Sequence, residues 1–236
     1  MTFASGRMVE ATSFFAAQLG INAPLIAYNG ALVYDFFAER SVSSAEIPQE
    51  TARAICRMAE ELGLYMQAYP GERYFCARRC ELTASYAASI HVRAWETPGN
   101  QPLSEWISSG QLKLLGIAGR EEIPGLLERF RTAFPEDVDF YMSKPIYIEM
   151  VSRRASKGNA LRALGEALGV PRERILAFGD GQNDISMLEY AGCGCAMANA
   201  SAEVQARADR VIASNAEDGV AREIERLLAA GQLGRG

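Results

Sequence analysis

Residues 175–188, ILAFGDGQNDISML, place two carboxylates and an amide on one short loop. The apolar run predicts a strand with Asp180 at its carboxyl end, and Asn183 and Asp184 follow where a helix begins. Such oxygen ligands suit Mg²⁺, which often shares its shell with a substrate phosphate. Helix capping is the alternative, because Asp and Asn favour helix starts for their backbone hydrogen bonds. Capping explains Asn183 or Asp184 more easily than it explains Asp180.

Ser156-Lys157-Gly158 is a second candidate, with Ser156 in a position typical of a helix N-cap. A lysine in the first turn opposes the helix dipole, so an anion held beside the helix start would account for it. A solvated surface lysine is the alternative, and the residues alone do not separate the two.

Ser5-Gly6-Arg7 lies at a predicted turn from strand to helix. A serine hydroxyl together with free N–H groups at a helix start forms a small cradle for phosphate. A simple N-cap serine is the more common meaning of such a tripeptide.

Composition restricts the other classes of function. The 236 residues carry 24 basic and 29 acidic side chains, so no basic surface for nucleic acid is expected. No apolar run approaches the ~20 residues of a membrane span, so no membrane partner is expected. The five cysteines lack the spacing and histidines of a zinc site and are interpreted as reduced thiols of a cytoplasmic protein. His91 lies in the alternating run SIHVRAW, which predicts a surface or half-buried strand residue rather than a catalytic base.

The pattern of elements predicts an α/β protein in three segments. Residues 1–36 predict a strand end, a helix, and two strands around the turn signal Asn29-Gly30. Residues 37–151 mix helices with short alternating strands, as in an α+β module. Residues 152–236 alternate between strand and helix, which predicts a parallel sheet with helices on both faces. We therefore expect a discontinuous core, residues 1–36 and 152–236, interrupted by a domain of residues 37–151.

Two of the predicted helices in the last segment carry apolar stripes at helical spacing. Each stripe is expected to face the core. The stripe residues are Leu161, Leu164 and Leu168 in one helix, and Val220, Ile224, Leu227 and Leu228 in the other.

Along the chain, the order is a serine at a turn, a large insertion, a lysine at a helix start and the motif GDxxND. This order resembles the haloacid dehalogenase (HAD) superfamily, and specifically its Cof-type class IIB phosphatases. The resemblance covers nearly the whole chain, through FASGR, YNGALVYD, SRRASKGNAL, ILAFGDGQNDISMLEYAG, CAMANAS and ADRVIASNAEDGVAREIERLL. It implies a HAD-like Rossmannoid parallel-sheet core with an inserted α+β cap domain.

The resemblance also implies a Mg²⁺-dependent phosphatase of small phosphorylated metabolites, such as sugar phosphates, acting through an aspartyl-phosphate. It implies that Ser5 binds the phosphate and that Lys157 stabilises the charge of the nucleophile and the phosphate. Asp180 is expected to ligate Mg²⁺, and Asp184 to support the metal shell. The further residues expected around the substrate are Gly6, Asn29, Gly30, Asn183 and Asn199.

The first motif of that family, DxDGT on the first strand, does not occur in the sequence. The single D-x-D, Asp137-Val138-Asp139, lacks the following Gly-Thr and is interpreted as a loop leading into a strand. The nucleophile and the general acid/base are therefore expected outside these 236 residues, and the chain alone is expected to be nearly inactive.

Three explanations of the missing motif stay open. Met1 is an internal methionine taken as the start, the chain is a truncated fragment, or it is a degenerate member that binds phosphorylated ligands without hydrolysis. A sheet that lacks a strand could also recruit one from a second copy, which makes a homodimer a further expectation.

Overall fold

The structure is a computed structural model that describes residues 1–233, apart from the side chains of Ser13 and Phe14. The chain divides after Ala155 into two compact units. Within residues 1–233, no helix combines the length and the apolar character that a membrane crossing requires.

The start of the first unit forms the predicted strand end, helix and strand pair. Its elements are α1 (Val9–Gln18), β1 (Leu25–Ala27), β2 (Leu32–Asp35) and β3 (Arg40–Ser44). The three strands form an antiparallel sheet in the order β1-β2-β3. Ala4 makes a parallel bridge to Ile26, so the residues before Ser5 run alongside β1.

A six-stranded sheet dominates the rest of the first unit. The elements are α2 (Gln49–Glu61), β4 (Tyr65–Tyr69), β5 (Phe75–Cys76), α3 (Glu81–Ile90), β6 (Trp95–Glu96), α4 (Leu103–Trp106), β7 (Lys113–Ile117), α5 (Ile123–Ala133), β8 (Val138–Lys144) and β9 (Tyr147–Ser152). The strand order is β6-β5-β4-β7-β9-β8. Helices α2 and α5 contribute to one apolar core with the sheet, in which Ile55, Leu114 and Phe130 are fully buried.

The strand predicted around His91 is absent from the structure, which places a helix end there. Ser89 and Ile90 belong to α3, and His91 follows as its left-handed C-cap residue with φ of +56°. The side chain of His91 is exposed, and β6 begins only at Trp95. The alternating run combines the last residues of a helix with an extended segment, so its period of two comes from two different conformations.

The second unit alternates strand and helix as predicted. Its elements are α6 (Lys157–Leu168), β10 (Leu176–Gly179), α7 (Ile185–Tyr190), β11 (Cys193–Met197), α8 (Ala202–Ala206), β12 (Arg210–Ile212) and α9 (Gly219–Ala229). The strands form a parallel sheet in the order β10-β11-β12. Among the described residues, β10 pairs with β11 alone.

Two of the predicted inward leucines are exposed. Leu168 is the last residue of α6 and is half exposed, because Gly169 turns the chain there in the left-handed conformation. Leu228 is 39% exposed, whereas Leu227 is buried. On α9 the inner position one turn before Leu227 belongs to Glu223, which the apolar pattern did not predict.

Gly158 provides a test of the packing between α6 and α7. A Cβ atom there would overlap the carbonyl oxygen of Ser186, which is backbone and has little freedom to move. Gly158→Ala should therefore lower the free energy of unfolding by about 1–3 kcal/mol, the usual range for overpacking. The measurement is the urea midpoint from circular dichroism.

Gly125→Ala is the matched control, because a Cβ at this α5 position would have no atom within 4 Å. Since alanine favours helix over glycine, this variant should gain about 0.5 kcal/mol. Equal midpoints for the two variants would contradict the packing argument.

Candidate active site

A buried ion pair joins the start of α6 to the loop after β10. Ser156 caps α6 by accepting a hydrogen bond from the N–H of Asn159 at 3.1 Å, which fixes Lys157 in the first helical turn. The Nζ of Lys157 lies 2.5 Å from Oδ1 of Asp184, and both side chains are more than nine-tenths buried. The alternative of a solvated surface lysine is therefore wrong.

The second oxygen of Asp184 holds the loop that follows β10. Its Oδ2 accepts the N–H groups of Asp180 at 3.0 Å and Gly181 at 2.9 Å. Gly179 permits this approach, because a Cβ there would lie 2.5 Å from the Cβ of Asp184. Although Asp184 precedes α7, its side chain caps the preceding loop and not the helix.

Asp180 has a different environment, because its side chain is exposed. Its Oδ2 accepts a hydrogen bond from Nδ2 of Asn199 at 3.1 Å, and Oδ1 of Asn199 accepts the N–H of Asn215 at 2.9 Å. The Oδ1 of Asp180 accepts no hydrogen bond from any described residue. The Asn183 side chain packs close to Gly181 of the same loop. A Cβ on Gly181 would lie 2.5 Å from Oδ1 of Asn183.

This donor set fits one carboxylate ligand for a hard cation. Asp180 has an available oxygen, whereas both oxygens of Asp184 are already bound by Lys157 and by two backbone N–H groups. Mg²⁺ commonly uses one or two carboxylates, several waters and substrate phosphate. Residues 1–233 contain no group of three or more His, Cys, Asp or Glu side chains placed to bind a metal by themselves. Asp180 is therefore suited to direct contact, and Asp184 to supporting the loop.

The first unit brings Ser5, Gly6 and Asn29 together. The N–H of Asn29 donates to the carbonyl of Ser5 at 3.0 Å, and the Ser5 hydroxyl accepts the N–H of Arg7 at 3.1 Å. A Cβ on Gly6 would lie 2.8 Å from Oδ1 of Asn29, so a larger residue there would displace the Asn29 side chain. Helix α1 begins only at Val9, so the alternative that Ser5 is its N-cap is wrong.

The turn after β1 has a left-handed backbone. The φ angles are +57° at Asn29 and +97° at Gly30, and Tyr28 before them has φ of +52°. Asn and Gly adopt this conformation most easily, which explains the Asn-Gly signal in the sequence. The turn thereby holds the Asn29 side chain against the Ser5 loop.

A polar network on the six-stranded sheet reaches Asn29 and was not predicted. Nδ2 of Asn29 donates to the Tyr141 hydroxyl at 2.6 Å, and that hydroxyl donates to Glu149 at 3.4 Å. Lys113 lies 3.6 Å from Glu149 and 4.5 Å from the ring centre of Tyr69. The one sequence signal was Lys113, a cation at the start of the otherwise apolar strand LKLLGI.

Burial and the neighbouring carboxylate of Glu149 set the protonation of Tyr141 and Lys113. Burial, followed by the charge of Glu149, raises the pKa of Tyr141, so its hydroxyl stays protonated at neutral pH. Burial alone would lower the pKa of Lys113, but Glu149 and Tyr86 together raise it, so the lysine keeps its charge. The network therefore joins a neutral Tyr141 hydroxyl to a charged Lys113 through Glu149.

The single D-x-D of the sequence has structural partners. Oδ2 of Asp137 accepts a hydrogen bond from the Thr51 hydroxyl at 3.1 Å, and Asp139 pairs with Arg153 at 3.1 Å. Asp139 is in β8, where it pairs in register with Val151 of β9. These contacts agree with the interpretation of Asp137-Val138-Asp139 as the entry to a strand.

Comparison with known proteins identifies the family. The model of the haloacid dehalogenase-like hydrolases matches residues 1–224, so the chain belongs to this family, as predicted. The putative phosphatase YxeH of Bacillus subtilis is 32% identical over 216 residues, covering 87% of this chain and 76% of YxeH. The 5-amino-6-(5-phospho-D-ribitylamino)uracil phosphatase YitU of the same organism is 29% identical, covering 92% of this chain and 81% of YitU.

A solved structure confirms the HAD-like α/β fold. The crystal structure of TM0651 from Thermotoga maritima matches with a TM-score of 0.86 and 35% identity. The match covers 95% of this chain and 84% of TM0651.

The buried pair leads to a prediction on stability. Asp184→Asn leaves Lys157 as a buried cation without its counter-charge, so unfolding of the second unit should become easier by about 3 kcal/mol or more. Both tryptophans lie in the first unit, so the measurement is amide hydrogen exchange of α6.

Lys157→Met and the double variant complete the cycle. The double variant should lose clearly less stability than the sum of the two single variants, because it buries no unpaired charge. Additive losses would show that the pair is not coupled.

Proposed function

We propose that this protein is a Mg²⁺-dependent phosphatase of small phosphorylated metabolites, sugar phosphates among them. The main support is one loop that carries two different carboxylates. Asp184 is buried in an ion pair with Lys157, whereas Asp180 is exposed. Similarity to YxeH, a putative phosphatase, and to YitU, a phosphatase of a phosphoribitylamino-uracil, agrees with it.

In this proposal each group has one task. Asp180 holds Mg²⁺, which when bound neutralises charge on the transferring phosphoryl group. Lys157 contributes a fixed positive charge beside the nucleophile and phosphate, and Asp184 keeps the lysine and the loop in position. Ser5 binds the phosphate. The proposed substrate contacts are Gly6, Asn29, Gly30, Asn183 and Asn199.

The proposal includes an aspartyl nucleophile and a general acid/base outside these 236 residues. The only D-x-D in the sequence is bound to Thr51 and Arg153 and has no such role. We assign residues 1–36 and 152–236 to the core and residues 37–151 to a cap that selects substrate. We also propose a cytoplasmic location and a homodimer.

A second candidate function is non-catalytic binding of a phosphorylated metabolite. It uses the same groups, Asp180, Lys157 and Ser5, because these binding residues can work without a nucleophile. It predicts Mg²⁺-dependent ligand binding and no hydrolysis, whatever segment precedes the chain.

The test begins with the genomic DNA ahead of Met1. If an in-frame D-x-D-G-T is encoded there, the longer protein should hydrolyse p-nitrophenyl phosphate with Mg²⁺, and EDTA should abolish turnover. Asp180→Asn should lower kcat/KM by roughly 100-fold or more, the scale of losing one preorganised charge.

Asp139→Asn is the control, since it removes the other D-x-D carboxylate, which is exposed and paired with Arg153. It should leave kcat/KM within about twofold, as a surface substitution does. Ligand binding without phosphate release by the longer protein would support the second candidate and overturn the first.

A further inference from the structure

A groove lies along β12 and the first turns of α9, with a volume of about 480 Å³. Three arginines line it, together with Glu223 and the half-exposed Val211. None of the lining residues belongs to the candidate active site. The groove extends along β12 from Arg210 at its amino end to Ala213 beyond its carboxyl end.

Glu223 organises two of the arginines from a buried position, with only 8% of its surface exposed. Arg226 binds it in a bidentate manner, with Nε at 2.8 Å and a terminal nitrogen at 2.7 Å. Arg210 reaches the same carboxylate at 3.3 Å. Hydrogen bonds from Arg226 lower the pKa of Glu223, so the carboxylate stays ionised and holds both guanidinium groups in place at neutral pH.

The groove retains donors after these contacts. Each guanidinium carries five N–H groups, so Arg210 and Arg226 keep some that Glu223 does not use. Arg222 makes no hydrogen bond or ion pair with any described side chain in the groove. The nearby carboxylate of Glu217 accepts hydrogen bonds from Ser214. These bonds are the main cause of the lowered pKa of Glu217, and the charge of Arg222 contributes less.

Charge favours an anionic occupant. Three guanidinium groups and one carboxylate give the groove a net charge of about +2, in a chain whose net charge is −5. Guanidinium groups match phosphate oxygens in geometry, and they do so best when they are already ordered. Val211 adds an exposed apolar surface beside them.

We propose that this groove is a second binding site, for a small and multiply charged phosphate-type anion. Arg222 is its main free donor, Arg210 and Arg226 add preorganised charge, and Glu223 sets their positions. The site does not depend on the phosphatase proposal, because it needs neither Asp180 nor a nucleophile.

Isothermal titration of the 236-residue chain with pyrophosphate, at low salt and without Mg²⁺, tests the proposal. We expect saturable binding with Kd below about 1 mM, weaker binding of inorganic phosphate, and loss of affinity as salt rises. Arg222→Gln should weaken pyrophosphate binding about tenfold, the effect of losing one charge-assisted contact.

Arg174→Gln is the matched control, because Arg174 is an exposed arginine of the same unit outside the groove. It changes net charge equally and should leave Kd within about twofold. Equal weakening by both variants, or unchanged affinity in Arg222→Gln, would overturn the proposal, as would no saturable binding of pyrophosphate up to about 10 mM.

Discussion

The buried pair of Lys157 and Asp184 is the constraint on which the candidate site depends. Removing two charges from water is expensive, and the attraction between them repays the cost only with good geometry and further hydrogen bonds. Here the second carboxylate oxygen accepts two backbone N–H groups, so Asp184 is satisfied on both sides. The pair joins the start of α6 to the loop after β10, and Gly158 and Gly179 allow the close approach.

The two carboxylates of the loop have separate tasks because their surroundings differ. Asp184 is buried and fully engaged, whereas Asp180 is exposed and keeps an available oxygen. Asp184 follows Asp180 by four residues, and the turn between them brings the Asp184 carboxylate to the backbone N–H of Asp180. The arrangement explains Gly179, because a Cβ there would lie 2.5 Å from the Cβ of Asp184.

Most of the second unit could be predicted from sequence, because its strands and helices are separated by clear glycine and proline signals and three of its site residues, Asp180, Asn183 and Asp184, lie on one motif. The Tyr141–Glu149–Lys113 network could not be predicted. It depends on the register between β8, β9 and β7, which joins residues far apart in sequence. Asn29 was expected at the substrate, but its partner Tyr141 lies 112 positions away.

The errors have physical reasons of the same kind. His91 looked like a strand residue because a helix end and an extended segment together imitate alternation. Glu223 occupies an inner helical position because Arg210 and Arg226 neutralise it, and hydropathy alone carries no information on such pairing. Local patterns therefore predicted the elements well, whereas contacts between distant charged side chains needed the structure.

We propose that these residues bind metal and phosphate and that the nucleophile lies outside them. A phosphate-release assay on the 236-residue chain, with p-nitrophenyl phosphate and Mg²⁺, tests it most directly. The account predicts no turnover above that of Asp180→Asn measured in parallel. Robust turnover that disappears in Asp180→Asn would contradict it, because a nucleophile would then be present among these residues.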